Sequence, residues 1–254
     1  MILKRRIALN GTQLDSLDGS IVIRNVNTGV PHESVGAVNR MGGSGQRITN
    51  HHWETLDVSV TFAIDIPKRK LTERRAVFDK VVKWAMACGW VTTNQMSGKR
   101  MYAEKAIIPS GGDMWNWTGE YTISFRAYGV PFWQDATATT STGSSISVPG
   151  IMQTVCDVDV TNSGEDTIDS LTVTVGGSSM VFADLGLEAT EVLKIGHTDD
   201  GLLTIRIYDT QYTYRNAMSK RTGASADDLY VNPGSNSISV SAGSKSVSCY
   251  GRYV

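Results

Sequence analysis

The chain has 254 residues, a formal net charge of −1, 41% hydrophobic and 19% charged residues, and 25 glycines. That is enough for one large or two ordinary domains with buried cores, and the glycine content leans toward turn-rich β structure. No apolar run approaches the ~20 residues of a membrane helix, no secretory stretch follows Lys4-Arg5-Arg6, and the charge is too even for a dedicated nucleic-acid binder. Membrane insertion and sequence-specific nucleic-acid recognition are therefore set aside.

In chain order, 21–26 is a weak strand candidate, and 27–53 reads as a long glycine-rich connection containing Met41-Gly42-Gly43-Ser44-Gly45-Gln46. Loops of that length in a compact domain are usually functional or interface-forming. Residues 54–66 give the clearest strand: Leu56, Val58, Val60, Phe62, Ile64 and Ile66 share one face, opposite Thr55, Asp57, Ser59 and Thr61. A helix is predicted over 72–88 from the recurrence of Val77, Phe78, Val81, Trp84, Ala85 and Cys88, with Thr72 to cap it and Gly89 to end it. Met101 to 108 is a further strand candidate, and Tyr121, Ile123, Phe125 and Ala127 repeat the alternation.

Residues 134–147, rich in Thr and Ser and without periodic apolar positions, read as a linker between domains 1–133 and 148–254. The charge divides near the same place. Residues 1–135 hold 17 Lys and Arg against 12 Asp and Glu, and 136–254 hold 7 against 13. After the linker, short strand candidates at 155–160, 171–175, 180–182, 191–195, 202–208, 211–214, 238–240 and 247–253 alternate with turn signals, a sandwich pattern. Asn232-Pro233-Gly234-Ser235 suits a type II turn, with proline second and glycine third.

Chemistry is sparse. The three cysteines are far apart and odd in number, which fits buried thiols in a reducing cytoplasm better than a disulfide framework. His32, His51, His52 and His197 lack metal-site spacing, there is no GxSxG nucleophile motif, and Gly42-Gly43-Ser44-Gly45 lacks the lysine of a phosphate loop. Asp157 and Asp159 share a strand face at a separation open to paired-carboxylate chemistry, which a solvated outer sandwich face explains equally well. Trp115 and Trp117, in a turn between strands, are candidates for stacking on sugar rings or for a subunit contact. No catalytic, cofactor or metal site is expected, and the chain is not expected to be an enzyme.

With no chemistry to follow, the order of parts carries the reading. Leu9-Asn10-Gly11, the strand at 58–66, Glu73-Arg74-Arg75 leading to Asp79-Lys80-Val81-Val82-Lys83-Trp84, and the closing 119–133 with its Pro131-Phe132 pair resemble the distal tail proteins (Dit family) of siphophages. So do Val158-Asp159-Val160-Thr161-Asn162-Ser163-Gly164 and Leu229-Tyr230-Val231-Asn232-Pro233-Gly234-Ser235-Asn236-Ser237-Ile238. The resemblance implies a mainly β fold with one helix (α+β): an N-terminal β-barrel-like ring domain plus a C-terminal galectin-like β-sandwich. It further implies a homohexameric ring around a DNA channel at the virion tail tip, made in the bacterial host cytoplasm. The implied partners are the tail tube protein, the tail-tip hub protein and the tape-measure protein. The loop containing Met41, Gly42, Gly43, Gln46 and Arg47 is the expected inter-subunit contact; a lectin-like module, or a tube or hub subunit, is the alternative.

Overall fold

A computed structural model describes residues 5–39, 46–67, 70–108 and 120–254. The chain divides into two compact units, Met1–Trp133 and Gln134–Val254. It is mainly β, with a single α-helix among the described residues.

The first unit opens with β1 (Ile7–Leu9) and β2 (Thr12–Gln13). The turn between them holds Asn10 and Gly11 at φ 50° and 82°, the doubly left-handed geometry that Asn-Gly favours in tight hairpins. Asn10 also fastens this hairpin to a distant segment: its side chain donates to Cys88 O (2.7 Å) and accepts from Trp90 N (2.9 Å). The following strands are β3 (Ile21–Asn27), β4 (His32–Asn39) and β5 (Gln46–Ile64), then α1 (Leu71–Met86). After the helix come β6 (Gly89–Thr93), β7 (Lys99–Ala103), β8 (Lys105–Ile107), β9 (Glu120–Ala127) and β10 (Trp133–Asp135), the last crossing the unit boundary.

One sheet of this unit runs β2-β1-β6-β7, and a second runs β3-β5-β9-β8 with β4 also on β5. The sheets are open; no closed barrel forms among the described residues. The alternating face read at Leu56, Val58, Val60 and Phe62 is fully buried and meets Tyr121, Ile123, Phe125 and Ala127 of β9. The helix covers this face with Val77, Phe78, Val81, Trp84 and Ala85; Trp84 stands edge-on to Phe125 at 5.5 Å, and Phe78 meets Tyr121 at 5.0 Å. Each such aliphatic or aromatic side chain removed from water contributes about 1.5–3 kcal/mol.

The helix ends differ from the sequence expectation. Lys70, not Thr72, is the N-cap, and no side chain caps it; the salt bridge from Lys70 to Glu73 (3.0 Å) is the local device instead. Two positive-φ residues follow the helix, Cys88 (φ 49°) and Gly89 (φ 108°), and Gly89 already begins β6.

The second unit contains β11 (Thr139–Ser141), β12 (Ser145–Val148), β13 (Thr154–Thr161), β14 (Leu171–Val175), β15 (Ser178–Phe182) and β16 (Val192–His197). It continues with β17 (Leu203–Tyr208), β18 (Tyr214–Asn216), β19 (Tyr230–Val231), β20 (Gly234–Val240), β21 (Ser244–Cys249) and β22 (Arg252–Tyr253). The larger sheet has the order β11-β21-β13-β16-β17-β18 with β19 also on β13, and the smaller is β12-β20-β14-β15. Val158, Val160, Leu193, Ile195, Ile205, Ile207 and Val247 from the first meet Ile146, Leu171, Val173, Met180, Phe182 and Ile238 from the second in one buried cluster.

Much of the stretch read as a linker is strand: β11 pairs with β21 and β12 with β20. Thr and Ser hide such strands, because the backbone ladder alone places them and only Ile146 and Val148 reach the core. At the Asn232-Pro233 turn, Gly234 has φ 96°, and Asn236 ties the turn down by donating to Asn232 O (2.7 Å) and Gly234 O (3.0 Å) while accepting from Asn232 N (3.2 Å).

Candidate assembly interface

The described residues of 27–53 are not an irregular loop: β4 and the first half of β5 pair antiparallel as an arm. Among the described residues β5 has partners on both sides only in its second half, with β9 opposite Leu56 to Ala63 and β3 opposite Ser59 to Ile64. Its first half, among the described residues, pairs with β4 alone, from His32↔Thr55 to Asn39↔Gln46, with bulges at His32/Glu33 and Gly36/Ala37. At 3.3–3.4 Å per residue the ten residues from 46 to 55 reach about 30 Å. A two-stranded ribbon in water is marginal by itself and leaves unpaired backbone groups along its outer edges. The arm missed prediction because its described side chains at 32–37 and 52–55 are exposed or half-buried, so they give no alternation of the kind that marks a strand with one face in the core.

The root of the arm is well anchored. Trp53 packs against Phe132 at 5.6 Å, and the Trp133 indole N–H donates to Thr28 O (3.2 Å). Gly29, at φ 62°, lies so close to the Asp57 carbonyl that a Cβ would collide with it. Asp57 in turn receives both guanidinium arms of Arg126 at 2.6 Å, and this pairing pushes the Arg126 pKa up. Val30, just before β4, and Val35, within it, remain 68% and 47% exposed, and His32 and His52 both lie 3.7 Å from Glu54. An exposed, partly apolar ribbon with free edges is suited to a second chain, which can complete its ladder and cover its valines.

Gln46 and Arg47 lie on the arm, in register with Asn39 and Val38. Met41, Gly42 and Gly43 lie outside the described residues, as do Trp115 and Trp117.

The second unit holds a part-buried cluster of His197, Asp157 and Asp228. His197 on β16 is 7% exposed; its Nδ1 is 2.7 Å from Asp157 Oδ1 on β13, and its Nε2 is 2.9 Å from Asp228 Oδ2. Burial opposes a charge on the ring, but hydrogen bonds to the two carboxylates outweigh it and hold the pKa up to about 9. The ring is thus a cation at neutral pH, donating from both nitrogens. Asp157 is committed to this clamp, and Asp159 lies 3.5 Å from Lys194, so the two carboxylates read as a candidate catalytic pair are both engaged in ion pairs. Sequence reading tested His197 only for metal-site spacing and missed this clamp, whose carboxylates are 40 and 31 residues away. Among the described residues no group of three or more His, Cys, Asp and Glu is arranged to hold a metal ion.

No protein-family model and no curated protein matches the chain. Solved structures do. The Dit protein of phage SPP1, described as a paradigm of the hub adsorption apparatus in phages infecting Gram-positive bacteria, is similar over 98% of this chain and 99% of its own, with a TM-score of 0.69 at 14% identity. The baseplate of phage P2 in its activated conformation is similar in two structures, with Ca (TM-score 0.52, 9% identity, 97% of each chain) and with Sr (TM-score 0.51, 10% identity, 96% and 97%). The chain therefore has a Dit-like fold from end to end.

Proposed function

We propose that this chain is a structural component of a siphophage tail tip, six copies of which close into a ring that joins the tail tube to the tail-tip hub and surrounds the channel for the DNA. The observation that carries the reading is the arm, a ribbon with open edges and exposed valines on a chain whose whole length folds like a phage hub protein. A ring needs two different, complementary surfaces on each copy, so that one copy's arm engages its neighbour and the rotation closes. Ladder hydrogen bonds and the covering of Val30 and Val35 supply affinity, and the bulges fix the register. The tape-measure protein is a further partner within the channel. No bond is made or broken; the work is assembly in the host cytoplasm and support in the virion.

Light scattering coupled to size exclusion tests this. The wild-type protein, alone or mixed with tube and hub proteins, is expected to elute at six times the 27.6 kDa chain mass. Val35→Asp is expected to shift it to monomer with unchanged circular dichroism. A wild-type protein that stays monomeric at high concentration with its partners present overturns the proposal.

A further inference from the structure

Cys156 and Cys249 are direct partners across the β13–β21 ladder. The kind of pair follows from where their backbone groups point. The Cys156 N–H donates to Leu229 O (3.0 Å), and six residues later, three repeats of the pleat, the Asn162 N–H donates to Glu191 O (3.0 Å). Even-numbered residues of β13 therefore direct their backbone bonds away from β21, toward β16 and β19. Cys156 and Cys249 are thus a non-hydrogen-bonded pair, the class in which antiparallel strands bring Cα atoms to about 4.5 Å and side chains closest together. That separation falls within the span a disulfide accepts, about 4.4–6.8 Å. Both side chains face the core, at 0% and 2% exposure. The two sulfurs perturb each other across the ladder: the facing Cys249 and burial push the Cys156 pKa up, while the facing Cys156 favours the thiolate at Cys249. Both are free thiols here.

We infer that Cys156 and Cys249 are a modification site: a dithiol that a small peroxide converts to an intramolecular cross-strand disulfide once the protein leaves a reducing compartment. Burial selects the oxidant, since hydrogen peroxide can reach sulfurs that a bulky disulfide such as oxidised glutathione cannot. The Cys249 thiolate attacks one peroxide oxygen, the O–O bond breaks, and the sulfenic acid forms as hydroxide leaves and is protonated to water. The Cys156 sulfur then attacks the sulfenic sulfur, the S–S bond forms, and a second water leaves. The two sulfurs lose two electrons, the peroxide gains them, and both thiol protons end in water. The product closes a loop of about 90 residues, which restricts the unfolded chain and so stabilises the sandwich. Because the bond lies within one unit, the inference stands or falls separately from ring assembly.

The test uses the full chain with Cys88→Ser, so that only this pair is counted. Folded protein is treated with hydrogen peroxide, quenched with catalase, unfolded, labelled with N-ethylmaleimide and weighed intact. Untreated protein is expected to take both labels. Treated protein is expected to take none, to weigh about 2 Da less than the dithiol, to run as a monomer without reductant, and to regain both labels after dithiothreitol. Its thermal transition is expected to rise by at least about 4 °C and to fall back on reduction, with no rise in the Cys88→Ser/Cys249→Ser protein. Thiols that stay fully labelled, separate sulfinic acids on each cysteine, or disulfide-linked dimers would each overturn the inference.

Discussion

The buried His197 clamp makes the stability of the second unit depend on pH in a direction the structure dictates. The ring's pKa stands at about 9 in the folded protein against 6.5 for an ordinary histidine. The charged ring is therefore favoured by folding, and its stabilisation is complete below pH 6.5 and lost as pH rises through 9. At about 1.4 kcal/mol per pH unit the gap sets a ceiling near 3 kcal/mol. Asp157 is 39% exposed and screened by water, while Asp228 is only 14% exposed, so about 1–2 kcal/mol is the expected effect. Urea unfolding followed by backbone circular dichroism, at pH steps from 6 to 10, compares the wild type with His197→Gln, which cannot titrate. All six tryptophans lie in residues 53–133, so indole fluorescence follows the first unit in the same samples as an internal control. The wild type is expected to lose about 1–2 kcal/mol more than the variant across this range, with the fluorescence transition equal in both. Parallel curves for the two proteins would refute the charged clamp.

Three further outcomes are expected. Asn236→Ala removes the three hydrogen bonds that hold the Asn232-Pro233-Gly234 turn and should destabilise the second unit by about 1–2 kcal/mol in chemical denaturation. Gly29→Ala forces a Cβ onto the Asp57 carbonyl at a left-handed φ; it should cost more than ~1 kcal/mol and speed amide exchange in β3 and β5. Phe182→Ala empties part of the sandwich core, where this ring is fully buried, and should lower stability by about 3–5 kcal/mol in the same measurement.

What could be read in advance depended on whether a residue's partner was the core or another particular residue. Leu56, Val58, Val60 and Phe62 announce a strand because one face meets an apolar interior, and Val77, Phe78, Val81, Trp84 and Ala85 announce a helix for the same reason. The mainly β architecture with one helix was legible from such patterns. The arm was not, because its residues 32–37 and 52–55 meet no apolar interior and so have no reason to alternate. Nor were β11 and β12 as a pair of strands: Thr139, Thr140 and Ser141 are placed by backbone bonds to β21, about 110 residues away in sequence. His197 and its carboxylates, and the cysteines opposed on β13 and β21, are products of register, and register belongs to the assembled sheet rather than to any local run of residues.

β5 is one uninterrupted strand with its first half in the arm and its second half in the centre of a sheet. Tension applied to the arm along its length travels down the same backbone into the ladder with β3 and β9. There it loads the cross-strand hydrogen bonds in shear, all together, rather than peeling them one after another. A grip on the tip is in this way a grip on the body, and the joint resists traction most firmly along the direction in which the arm extends.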